Sequence, residues 1–60
     1  MNKQVVASGI IGKFSTEWKI IEFEYTTCTN YELFIEDKKW CVADSVVSAL
    51  EFLVNNFKEW

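Results

Sequence analysis

Sixty residues make one small domain, in which folding hides only about 60% of the surface the unfolded chain exposes. Half of the residues are hydrophobic and 17% are aromatic, which excludes a disordered chain. The net charge of −3, with all six basic residues lysine and none arginine, weighs against nucleic acid as a partner, because arginine is the usual reader of phosphates and bases.

In chain order, a first strand is predicted from about residue 3 to 14, with Gly9 marking either a bulge or a close backbone approach. A turn over Ser15–Glu17 leads to a second strand, about 18 to 27. There Ile21, Phe23 and Tyr25 share one face, and Trp18, Ile20, Glu22 and Glu24 share the other. Asn30 suits a turn before the third strand, about 31 to 36, since Asn tolerates a left-handed backbone. Tyr31, Leu33 and Ile35 point one way in that strand, and Glu32, Phe34 and Glu36 the other. Asp37–Lys39 reads as a polar turn, and Trp40–Ala43 as a short fourth strand, 40 to 43.

The clearest periodicity comes last. Val46, Leu50, Leu53, Phe57 and Trp60 recur at alternating four- and three-residue spacing, predicting an amphipathic helix over about 45 to 59. Asp44 is placed to cap it. With Val47, Ala49 and Val54, these residues fill an apolar arc of about 160°. The expected fold class is α+β: an antiparallel sheet of three to four strands covered on one face by a single C-terminal helix, in the order β-β-β-β-α. Its covered face would carry Ile21, Phe23, Tyr25, Leu33 and Ile35.

Several residues do not fit a plain domain. Phe52 falls outside the helical arc. The open sheet face would present Trp18, Ile20 and Phe34 among Glu22, Glu24, Glu32 and Glu36, and aromatics ringed by polar groups are a common interface composition. Trp18, Phe34 and Phe52 are then expected as anchors for a partner, and the glutamates as groups that steer a basic surface into register. A solvated charged face is the plainer reading of the same glutamates.

The chemistry of catalysis is poorly served. There is no histidine, the commonest general base, and neither Cys28 nor Cys41 has one for a nucleophilic pair. Glu22 and Glu24 stand about 7 Å apart on one strand face, with little room for a cleft. Two thiols without histidine do not complete a zinc site, and Gly9–Lys13 lacks phosphate-loop spacing. No cofactor or metal is expected. Nor is a membrane span, since no stretch approaches the ~20 apolar residues one requires. The setting expected from these features is cytoplasmic and reducing, with two free thiols, although a single bridge between them is conceivable.

The leading expectation is therefore a non-enzymatic protein-binding module. Short, acidic, arginine-free domains are a composition associated with phage and mobile-element proteins that inhibit a host protein, which makes a basic surface of such a protein the expected target. A self-associating dimeric regulator is the alternative, because a single core below roughly 70–80 residues rarely supplies more than about 3–5 kcal/mol. A sheet that stacks single-stranded nucleic acid on Trp18, Tyr25, Tyr31 and Phe34 is the third reading.

Overall fold

A computed structural model describes residues 2–57. Four strands, β1 (Asn2–Ile11), β2 (Thr16–Glu24), β3 (Thr29–Ile35) and β4 (Lys38–Ala43), form an antiparallel meander in which each strand pairs with the next. One helix, α1 (Val46–Phe57), follows and packs on β3 and β4. The β-β-β-β-α order is the one the sequence predicts.

The strand ends differ from the sequence reading, and the turns explain why. β1 stops at Ile11 because Gly12, at φ 80, opens a four-residue turn that closes at Ser15, at φ 55, whose N–H donates to the Gly12 carbonyl. Lys13 and Phe14 are thus turn residues, and Thr16 and Glu17 already belong to β2. Glu36 and Asp37, at φ 52 and 68, form a two-residue left-handed hairpin turn. This turn returns Lys38 and Lys39 to β4 and pins itself to β2 through the Glu36 N–H on the Glu17 carbonyl. The irregularity in β1 lies between Val5 and Ala7, with Val6 as the extra residue, while Gly9 is the point of close approach. A Cβ at Gly9 would sit 3.0 Å from the indole of its cross-strand partner Trp18. A second irregularity falls beside Trp40, between the pairs Leu33–Cys41 and Phe34–Lys39.

The main correction concerns β2. Ile20 pairs with Leu33 and Trp18 with Ile35, so these residues face the helix. Ile21 and Phe23 face away from it, opposite Glu32 and Asn30, and Tyr25 lies beyond the strand. The cause is the parity of the connection. Four residues, Tyr25–Cys28, join β2 to β3, closed by the Tyr25 N–H on the Cys28 carbonyl. This length puts even-numbered residues of β2 beside odd-numbered residues of β3. Side chains alternate with period two, so one residue more or less would exchange the two faces of β2.

The helix differs in cap and in azimuth. Ser45, not Asp44, is the N-cap: its Oγ accepts from the Ser48 N–H at 3.1 Å. Asp44 stands behind it, accepting from the Ser48 hydroxyl at 3.4 Å. Ala49 and Leu53 are buried against Ile20, Leu33 and Ile35, flanked by Val46, Leu50 and Phe52. Val47 and Val54 remain 65% and 52% exposed. The buried arc is rotated by roughly 60° from the widest apolar arc of the sequence. The two-residue link Asp44–Ser45 and the close seat allowed by Ala49 set this azimuth, and Phe52 is drawn inward as a result. Phe57 and Trp60, which the sequence adds to the stripe, lie outside the described side chains.

Candidate interaction surface

The residues expected on one open face are divided by the fold. Trp18 and Ile20 belong to the covered side, Ile20 with no exposed surface, and Phe52 packs on the same core. Glu22 is also on the covered side, at its margin, and Glu24 follows it at the strand end. Glu36 is in the hairpin turn. Only Glu32 and Phe34 stand on the open face. The acidic ring around an aromatic centre is therefore not assembled.

Glu22 has a local role instead. Its two carboxylate oxygens accept from the Tyr31 hydroxyl at 3.0 Å and from the Gln4 side-chain amide at 3.1 Å, bridging β1, β2 and β3 at the edge of the core. The hydrogen bond to Glu22 is the main cause that raises the Tyr31 phenol above its usual 10.0, with burial and the Glu22 charge adding to it. Burial likewise raises the Cys41 thiol, partly offset by a backbone hydrogen bond from Leu33. Cys41 is half-buried beside Leu33, whereas Cys28 is exposed in the β2–β3 connection, and both are free thiols.

The open face has its own composition, readable from the pairing. One row across the strands is Val5, Ile21, Glu32 and Val42. On one side lies Lys3, Phe23 and Asn30, and on the other Ser8, Lys19, Phe34 and Lys39, with Ile10 and Glu17 beyond. No described element packs on this face. Val5, Val42 and Ile10 are 55%, 53% and 64% exposed, and Ile21, Phe23 and Phe34 are half-buried only by their neighbours. The Lys19 ammonium lies 5.8 Å from the centre of the Phe34 ring and 3.1 Å from Asp37, and Lys39 lies 4.0 Å from Glu32. Val5, Ile21 and Phe23 are thus neighbours, Phe34 lies diagonal to Ile21, and Val42 stands beyond Glu32, while Lys19 and Lys39 already face carboxylates or a ring. At the turn end a shallow groove of about 370 Å³ runs between Gly9, Trp18, Lys19, Phe34 and Asp37.

Four contributors, Val5, Ile21, Phe23 and Val42, are absent from the sequence-derived surface. The alternation in β2 points Ile21 and Phe23 to the core because their half of the strand is the more apolar. The usable signal was that both halves are apolar, Trp18 and Ile20 on one and Ile21 and Phe23 on the other, as in a strand with no freely solvated face.

Comparison with protein-family models, with curated proteins and with solved structures finds no match to the chain. Among the described residues no cluster of three or more His, Cys, Asp or Glu side chains is placed to hold a metal ion. No helix among them is long and apolar enough to cross a membrane.

Proposed function

We propose that the chain is a non-enzymatic protein-binding module whose working surface is the open face of the sheet. The observation that carries this reading is the apolar group Val5, Ile21, Phe23 and Phe34, adjacent or diagonal in the pairing, with Val42 beyond Glu32, on a face that no described element covers. Contiguous apolar patches of this kind, rimmed by polar groups, mark protein contacts. Aromatic side chains dominate the energetics of such contacts, which makes Phe23 and Phe34 the anchors. The two free thiols suit a reducing, cytoplasmic setting. The charge of the open face does not single out a basic target: Lys3, Lys19 and Lys39 stand there against Glu17, Glu32 and Asp37, so selection rests on shape and apolar contact. Nucleic acid is disfavoured, since Lys19 and Lys39 already face Asp37 and Glu32.

The test is capture by tagged wild-type protein from a nuclease-treated lysate of the native host, repeated with Phe23→Ala and Phe34→Ala. A protein retained by wild type, with each variant binding it about 30-fold or more weakly, supports the module. Retention unchanged in both variants, with their folds intact by circular dichroism, removes the open face as the binding surface. Capture that depends on omitting the nuclease replaces the reading with a nucleic-acid one.

A further inference from the structure

We infer that the occupant of the open face is a second copy of the same chain, packed back to back through the two sheets. This inference rests on the preceding one, that the open face binds protein, and names the partner. Three observations lead to it.

The first is the size of the core. Among the described residues five hydrophobic side chains are buried, Ile20, Leu33, Ile35, Ala49 and Leu53, and the two cysteines are not joined. Domains this small gain stability from a disulfide, a metal or a second subunit. A face that stays covered by a second copy supplies the missing burial permanently, which an occasional partner does not.

The second is area. A seven-residue overlap of β2 with β3 runs about 23 Å, and four strands span about 19 Å, a flat footprint of roughly 440 Å². A corrugated side-chain surface has more accessible area than its footprint, so each copy contributes about the 500 Å² that a specific interface requires. The other exposed apolar strip fails this measure. Val47, Leu50 and Val54 follow the three- and four-residue spacing of a helix-pairing seam, but a twelve-residue helix offers only about 18 by 10 Å.

The third is charge. The chain is acidic, at net −3, and repels its own copy over most of its surface. The open face is the exception, with three lysines balanced by Glu17, Glu32 and the Asp37 carboxylate beside Lys19. A two-fold axis lying parallel to the strands, between β2 and β3, sets β1 over the partner's β4 and β2 over the partner's β3. Val5 then meets Val42 of the partner subunit, Ile21 meets the partner's Glu32, and Lys19 meets the ring of the partner's Phe34. A perpendicular two-fold through the Val5–Val42 row would bring Glu32 onto its own copy.

The test uses positions that are exposed in the single chain, so that a new charge leaves its fold intact. Wild type is expected to sediment as a dimer of twice 7.0 kDa, and Val5→Lys/Val42→Lys as a monomer over about 1–100 µM, a loss of association of at least 100-fold. Val47→Lys/Val54→Lys, on the helix strip, should remain dimeric, and circular dichroism should report the same fold for all three. A dimer broken by the helix pair and not by the sheet pair overturns the inference. So does a monomeric wild type. In that case the lysate capture decides the rest: a host protein lost with Val5→Lys/Val42→Lys keeps the open face as a binding surface, and no such loss removes that reading too.

Discussion

Adjacent isoleucines on β2 provide the sharpest test of how this chain is arranged. Ile20 has no exposed surface and touches the cluster of Leu33, Ala49 and Leu53, whereas Ile21 stands on the open face between Val5 and Glu32. Truncation of Ile20 to Ala removes three methyl or methylene groups from a closed core. At about 0.8 kcal/mol each that is roughly 2.4 kcal/mol of lost transfer energy. The cavity left beside Ala49 adds to it, for a total of about 3–4 kcal/mol. A domain of this size holds about 3–5 kcal/mol in all, so Ile20→Ala should retain no more than about 2 kcal/mol and have a much lower urea midpoint. Ile21→Ala removes the same atoms from a half-buried site and should cost about 1 kcal/mol or less. Urea titrations followed by far-ultraviolet circular dichroism, at protein concentrations low enough to exclude self-association, measure both. Equal losses, or a greater loss for Ile21→Ala, would refute the face assignment of β2 and with it the composition of the open face.

Three further outcomes are expected. Ser45→Ala should cost about 1 kcal/mol by removing the N-cap acceptor of the Ser48 N–H, a drop of about 4–8 °C in Tm. Asp44→Ala, which leaves that bond in place, should cost no more than about 0.5 kcal/mol, and thermal melts of the two variants separate them. Glu36→Asn should stabilise the chain by about 0.5–1 kcal/mol, because Asn adopts the left-handed turn conformation that strains Glu36 at φ 52; a lower Tm would contradict the turn. Tyr31 favours its protonated form in the fold, so its contribution is complete below a pH of about 10.0 and is lost as pH rises through the higher folded value. Above about pH 10 the Tm of wild type should therefore fall more than that of Tyr31→Phe, and parallel curves would show that the bond to Glu22 does not act on stability.

Local pattern accounts for much of what was legible in the residues. Five elements in the right order, a single C-terminal helix and an all-antiparallel meander follow from period-two alternation, from turn residues and from the 3.6-residue stripe after Asp44. Each of these signals depends on residues within one element, and each survived with end shifts of a few residues. The candidate surface was less legible. Phe34 and Glu32 were placed on the open face correctly, because only one half of β3 is strongly apolar. Trp18 and Phe52, expected as exposed anchors, and Ile20, expected on the open face, are part of the core.

Those errors share one physical origin. The sequence by itself determined which segments become strands or helix and which side chains lie together on each element. Only the tertiary structure decided which side of each element faces inward. For β2 the decision came from the even number of residues in the Tyr25–Cys28 connection, which brings Ile20 beside Leu33. For α1 it came from the two-residue link after β4 and the small Ala49, which turn Phe52 inward and leave Val47 and Val54 outside. Strand parity and helix azimuth are relations between elements. A strand apolar on both sides, or a helix with more apolar residues than its seat can cover, carries no local signal that fixes them.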